Sequence, residues 1–258
     1  MLPPKIKFIN VTESYDSASK SDVILQDLNF EIYAEEFICI LGPSGSGKTT
    51  ILGLVAGFIK PSGGNVLFNS KNITRPDSSR TLVFQDYALF PWLNILDNVA
   101  FGLTTKNHKN NHAREKALEY LNMVELSAYK DHSVSQLSGG MKQRVAIARA
   151  LAVDPEVLLL DEPFGALDLQ SRESMQTELI RLMTKAKKTV LFVTHSVDEA
   201  LKLADRILVI GGKPGKLLCD TTIAVARPRD LNSNQLISIR NKILDKLSQS
   251  DLFMGLNI

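Results

Sequence analysis

Phe37-Ile-Cys39-Ile-Leu41-Gly42-Pro43-Ser44-Gly45-Ser46-Gly47-Lys48-Thr49-Thr50 is the stretch that decides the fold. Its first five residues are apolar and have the length of a buried strand. Gly-x-x-x-x-Gly-Lys-Thr follows, and then Thr49–Gly57 shows helical spacing with a glycine stop. A strand, a glycine loop and a helix in that order form the context in which this motif cradles phosphate. Glycines let backbone N–H groups turn inward with no Cβ in the way. The positive end of the helix points at the same anion. Lys48 adds a point charge for the outer phosphates, and the Thr49 hydroxyl can ligate Mg²⁺. The alternative, a surface turn that happens to match, does not account for the strand and helix on either side.

The rest of the composition narrows the class. The chain has 258 residues, enough for one large domain or two modest ones. Lys plus Arg number 30 against 28 Asp plus Glu, and this balance gives no reason to expect a nucleic-acid partner. No stretch approaches the ~18 apolar residues of a membrane span. Met1-Leu-Pro-Pro-Lys-Ile-Lys7 lacks the apolar centre of a secretion signal. The two cysteines, Cys39 and Cys219, form no disulfide framework, and a reducing cytosolic setting is expected. Cys39 reads as a small buried hydrophobe. No Cys/His metal cluster is visible.

Strands are expected at Lys5–Val11, Val23–Ile32, Phe37–Leu41, Asn65–Asn69 and Thr81–Gln85, with Asp16–Asp22 a long loop. His112–Val124 and Gly139–Val153 have helical patterns. Strands and helices then alternate: Val157–Leu160, Leu169–Lys185, Thr189–Thr194, Val197–Ala204 and Arg206–Ile210. Gly211–Gly215 reads as a hairpin turn and Leu231–Ser250 as an amphipathic helix. Such alternation predicts an α/β fold with a largely parallel sheet covered on both faces, into which the helical middle is inserted.

Val157-Leu-Leu-Leu-Asp161-Glu162 ends a buried strand in two carboxylates, at the sheet edge where open α/β sheets bind ligands. Neighbours on a strand point opposite ways. Asp161 can therefore serve a metal while Glu162 faces a γ-phosphate and its attacking water. The alternative is an acidic helix start before Pro163.

Leu137-Ser138-Gly139-Gly140-Met141-Lys142-Gln143-Arg144 resembles the signature motif of ATP-binding cassette (ABC) ATPases. The phosphate loop, Gln85, Asp161-Glu162, Ala166-Leu167-Asp168 and Thr194-His195 complete the family's motifs in order, over nearly the whole chain. The resemblance implies a P-loop NTPase (RecA-like) core with an N-terminal antiparallel β subdomain and an inserted α-helical subdomain. The cassette would span 4–230, its insertion about 87–155, and a helical tail 231–258. Implied cofactors are ATP and Mg²⁺. Gly42, Pro43, Ser44, Gly45, Ser46, Gly47, Lys48, Thr49 and Thr50 would bind nucleotide, and Tyr15 would stack on adenine unless it is simply an exposed turn tyrosine. Thr49, Gln85 and Asp161 would hold the metal; Glu162, His195 and Gln85 would be catalytic.

Ser138, Gly139, Gly140 and Met141 would close over the ATP of a second copy. Physically, a Ser-Gly-Gly helix start is also an anion site, or merely a capped helix. Asp168 would shape the dimer contact, or cap the helix that begins at Leu169. Phe30 and Tyr33 read as core and sheet edge, and His108, His112 and His132 as solvated. Two departures stand out: Met141 where glutamine is commonest, and Ser196 after His195 where many members have Asp.

Phe84–Leu103 is rich in large apolar groups, and Pro91-Trp92 falls at a turn. In the family this region receives a coupling helix, so Tyr87, Phe90 and Trp92 are candidate contacts for a transmembrane permease. Gln85-Asp-x-x-Leu-x-Pro-Trp92 and Ala226-Arg-Pro-Arg-Asp230 resemble importers of nitrate, sulfonates and taurine. The implied role is the ATP-hydrolysing subunit of a bacterial importer at the cytoplasmic face of the inner membrane. Its partners would be a second ATP-binding subunit, permease subunits and, indirectly, an extracytoplasmic substrate-binding protein. Nitrate, sulfonates, taurine, bicarbonate and a thiamine-precursor pyrimidine all remain open as cargo. A non-transport ABC ATPase would carry a long coiled-coil insertion or a second cassette, and neither is present. A dimerisation module switched by ATP without turnover would need neither Glu162 nor His195. A guanine-binding Asn-Lys-x-Asp is missing, since Asn241-Lys-Ile-Leu244 fails at its last position. Lys48→Ala should abolish binding in a titration with fluorescent ATP; unchanged affinity would contradict the phosphate-loop reading.

Overall fold

At Ile6–Phe8 and Leu28–Ile32 buried residues alternate with more exposed ones, a pattern that folds into ladders with one covered face. The structure, a computed structural model, describes residues 3–17, 20–104, 110–165 and 167–254. In chain order the strands are β1 (Ile6–Ser17), β2 (Lys20–Ile32), β3 (Phe37–Leu41), β4 (Gly63–Phe68), β5 (Lys71–Asn72), β6 (Arg80–Val83), β7 (Val157–Asp161), β8 (Thr189–Thr194), β9 (Arg206–Gly211) and β10 (Lys216–Thr222). The α-helices are α1 (Lys48–Ala56), α2 (Ile95–Thr104), α3 (Asn110–Met123), α4 (Gly139–Ala152), α5 (Leu169–Ala186), α6 (Val197–Leu203) and α7 (Asn234–Met254). The chain divides into two units, residues 1–77 with 189–258, and residues 78–188.

In the first unit, β2-β1-β4-β5 form an antiparallel sheet. Phe8 and Phe30 are paired across it and stack at 4.3 Å. The expected loop at Asp16–Asp22 is corrected: Asp16 pairs with Ser21, and Ser17 with Lys20, so the antiparallel ladder continues through these residues. Three register shifts between Phe8 and Ser14 break the two-residue period, which is why the polar end of β1 does not read as strand. A second set of strands places β3 parallel to both β8 and β9, with β10 antiparallel on β9. β3 and β8 are buried along their whole length, as strands covered on both faces must be. Cys39 lies in that core, and burial pushes its thiol well above the usual range.

α1 ends at Gly57, whose left-handed φ of 83° lets its N–H close on Gly53 and Leu54. The C-terminal end of α6 is closed by arginines from far along the chain. Arg229 donates to the carbonyls of Leu201 and Ala204, and Arg227 to that of Leu203 and to Asp205. α7 packs on α6 and β9 through residues that include the buried Leu236 and Ile243.

In the second unit, β6 lies parallel to β7, and α2, α3 and α4 pack on one another through residues such as Val99, Leu121 and Val145. α2 falls within the apolar stretch that the sequence left undivided. Asn94 starts it by accepting the Asp97 N–H at 2.7 Å. β6 stops at Val83, so the expected strand end at Gln85 is corrected: Gln85 lies in the turn that follows. His132 is half-buried with its ring edge on Tyr129, while His112 is exposed; His108 lies outside the described residues. Asn98 is fully buried, yet polar. Its amide accepts the Phe90 N–H and donates to the carbonyls of Phe90, Leu93 and Asn94. Asn98→Leu would leave an N–H and carbonyls unpaired in the interior, and should cost about 1–3 kcal/mol. An unshifted urea midpoint would refute this.

Candidate functional site

The loop between β3 and α1 is built by exclusion of side chains. Gly45 and Gly47 take φ of 78° and 90°, which favours glycine. A Cβ on Gly42 would lie 2.1 Å from the Ile210 carbonyl oxygen, and one on Gly47 would lie 2.4 Å from Leu25 Cδ2. Gly47 caps α1 with no side-chain bond to the first turn, so the helix presents backbone N–H groups and its positive pole here. Lys48 is only 5% exposed, and its Nζ donates to the Pro43 carbonyl at 2.8 Å. The Ser46 hydroxyl is buried without a hydrogen-bond partner. Ser44 and Thr49 are exposed and Pro43 and Thr50 half-buried. Backbone donors, a helix pole, an ammonium and an unsatisfied hydroxyl together suit a polyphosphate.

The turn after β9 borders the same loop, which the sequence reading missed. A Cβ on Gly215 would meet the Ser46 carbonyl oxygen at 2.2 Å, and the Lys213 side chain lies 3.8 Å from where a Gly45 Cβ would sit. Its only sequence signal was a glycine-rich turn. Tyr15 is 51% exposed on β1, opposite Asp22.

His195 is exposed between β8 and α6. Its neighbours are tied together. The Thr194 hydroxyl donates to the Glu199 carboxylate at 2.6 Å and accepts the Ser196 N–H at 3.0 Å, while Ser196 Oγ accepts the Glu199 N–H at 3.3 Å. Ser196 therefore caps α6 where many ABC sequences carry Asp.

In the second unit, Asp161 closes β7 and is buried. The expected alternation of Asp161 and Glu162 along a strand is corrected. Glu162 is past the strand at φ 42°, and its carbonyl accepts the Gly165 N–H. Left-handed backbone, not the pleat, sets its direction. A Cβ on Gly165 would be 3.4 Å from that carbonyl oxygen and 3.7 Å from Gln85 Nε2, so Gln85 and the Glu162 turn converge. Ala166 lies outside the described residues. Asp168 caps α5 by accepting the Ser171 N–H, and hydrogen bonds from the Ser171 side chain and backbone hold its carboxyl below the usual range.

Ser138 caps α4 by accepting the Met141 N–H at 3.3 Å, and a Cβ on Gly140 would meet open space. Met141 and Gly140 line an open cavity of about 430 Å³ with Tyr129, Arg144 and Ser171. Trp92 is 76% exposed and tilts against Phe90, which packs on Phe101. Tyr87 turns the other way: its hydroxyl is buried, and burial raises its pKa. Among the described residues no three His, Cys, Asp or Glu side chains gather to hold a metal.

Residues 25–165 match the ABC transporter family. An uncharacterized ABC transporter ATP-binding protein of Methanocaldococcus jannaschii is 45% identical, over 96% of this chain and 93% of its own length. The bicarbonate transport ATP-binding protein CmpD of Synechococcus elongatus is 42% identical over 92% and 88%. The aliphatic sulfonates import ATP-binding protein SsuB of Bacillus cereus is 38% identical over 95% and 96%. Among solved structures, a dimeric ATP-binding cassette in a post-hydrolysis state with ADP and Pi superimposes with a TM-score of 0.76 at 35% identity, over 86% of this chain and 100% of that one. By this family match and these relatives, this chain belongs to the ABC transporter family and is one of its ATP-binding, ATP-hydrolysing subunits.

Proposed function

We propose that this subunit drives a bacterial importer by hydrolysing ATP at a head-to-tail dimer interface. The observation that carries the reading is the phosphate loop, with its excluded Cβ positions, buried Lys48 and unsatisfied Ser46 hydroxyl. In the family's order of motifs, Gly42–Thr50 hold the triphosphate and Tyr15 stacks on adenine. Glu162 takes a proton from the attacking water, His195 bonds the γ-phosphate, and Gln85 orients the water. Ser138, Gly139, Gly140 and Met141 of a second copy close over the same phosphate, beside Asp168. That contact holds two copies together until hydrolysis removes it, and this differential affinity can drive a cycle.

Thr49, Gln85 and Asp161 suit Mg²⁺. A hydroxyl, an amide and a carboxylate are oxygen donors of the kind this ion takes beside phosphate oxygens and water. When bound, the ion neutralises charge on the phosphates. The cassette spans 4–230, with its helical insertion at about 87–155 and a tail at 231–258.

Tyr87, Phe90 and Trp92 mark the region that meets a transmembrane permease. Of the three, Trp92 is the exposed one and Tyr87 and Phe90 are half-buried; an exposed aromatic is a common anchor at interfaces. Among the described residues no helix is long and apolar enough to cross a membrane; the transport relatives support attachment to the cytoplasmic face of the inner membrane through such a permease. The bicarbonate and sulfonate relatives support a small oxyanion as cargo, selected by the permease and an extracytoplasmic binding protein.

Glu162→Gln should bind ATP, persist as a dimer in size-exclusion chromatography, and hydrolyse about 10²–10⁴ more slowly. Phosphate release at the parental rate would remove Glu162 from its role. A strictly monomeric ATP complex would remove the shared site. Trp92→Ala should lose co-purification with the permease and transport, and retention of both would sink the docking assignment.

A further inference from the structure

Two features of the Gln85–Trp92 segment are explained neither by hydrolysis nor by docking. Tyr87 and Ala88 both adopt left-handed backbone, with φ of 64° and 44°, a conformation that residues with side chains seldom take without cause. The Tyr87 hydroxyl is buried with no hydrogen-bond partner, which is costly for a phenol that phenylalanine could replace.

Arg149 accounts for the first feature. It lies on α4, the helix that begins at Gly139. Its Nη1 donates to the Ala88 carbonyl at 2.7 Å and its Nη2 to the Tyr87 carbonyl at 2.9 Å. Consecutive left-handed residues turn successive carbonyls to one side, where a single planar fork can take both. The same guanidinium sits 5.4 Å from the Phe90 ring. Asn98 grips the Phe90 backbone by both its N–H and its carbonyl. The segment is thus fastened at residues 87, 88 and 90, and Trp92 projects just beyond.

The second feature points at the other end of α4. A Cβ on Gly139 would lie only 3.7 Å from the Tyr87 hydroxyl and 3.4 Å from Leu167 Cδ2. The phenol thus lies beside Gly139, the residue after the Ser138 cap, within van der Waals reach of where a side chain would begin. We propose that Tyr87 and Arg149 tether the Gln85–Trp92 segment to both ends of α4, making Tyr87 a positioning residue for the phosphate-closing turn. This rests on the reading of Ser138–Gly140 as the turn that meets a partner's γ-phosphate. A force on Trp92 then reaches Gly139 through one phenol, and closure of Gly139 over nucleotide returns to Trp92 by the same route.

Trp92 is the single tryptophan of the chain, so its emission reports on the segment. The experiment uses the full chain in a Glu162→Gln background, titrated with Mg-ATP and followed by tryptophan emission and light scattering. Emission should shift with the same midpoint as dimer formation. Arg149→Ala should keep the parental affinity for fluorescent ATP but reduce the emission response several-fold. Arg149→Lys should behave the same way, because one ammonium cannot take both carbonyls in the fork geometry. Tyr87→Phe should retain or raise the thermal midpoint, since it deletes an unsatisfied hydroxyl, yet also weaken the response. A merely structural tyrosine would leave the response intact. Dimers forming without any Trp92 shift, or a full shift in Arg149→Lys and Tyr87→Phe, would overturn the tether and leave the shared site standing. Failure of the Glu162→Gln background to dimerise with ATP would instead defeat the shared site itself, and the tether with it.

Discussion

Phosphate oxygens can be held by backbone only where side chains stand aside, and that steric demand organises the first unit. At Gly42, Gly47 and Gly215 an added Cβ would come within 2.5 Å of a neighbouring atom. Gly42 meets β9, Gly47 meets β2, and Gly215 brings the turn after β9 against Ser46 of the loop, so these stretches of chain press the loop into shape. A flexible glycine string would lose its geometry when empty; a packed one is preorganised, and less ordering remains to be done when the anion arrives. The Ser46 hydroxyl and the Lys48 ammonium complete a pocket whose polar groups are arranged before any charge enters.

The second unit solves another problem, that of fixing irregular backbone inside an apolar bundle. Asn98 and Arg149 are polar groups placed among the leucines, valines and alanines of α2 and α4, and each satisfies carbonyls that no helix or strand could. Their hydrogen bonds act as fasteners with direction, which dispersion contacts lack. The turn from Gln85 to Trp92 therefore has a definite course without belonging to any regular element.

The parts most legible in the sequence were those whose period or spacing is local. The glycine loop, the apolar runs of β3, β7 and β8, and the start of α4 at Ser138 all announce themselves within a dozen residues. The stretch from Thr12 to Ser17 did not, because bulges shift its pairing and conceal the alternation. Glu162 was read as the next rung of a strand, although its left-handed backbone depends on a turn to Gly165 that composition does not reveal. Lys213, Gly215, Asn98 and Arg149 were invisible for a different reason. Each acts on backbone far away along the chain or in a loop without a motif, and only folding supplies its partner.

The arginines that close α6 make one more point. The helix that opens directly after His195 is finished by side chains more than twenty residues downstream. Shortening the chain after β10, as one might when trimming a cassette to its nucleotide motifs, would strip those carbonyls of their donors and leave α6 to fray back toward the histidine. A fragment that keeps α6 closed must therefore extend through Arg229.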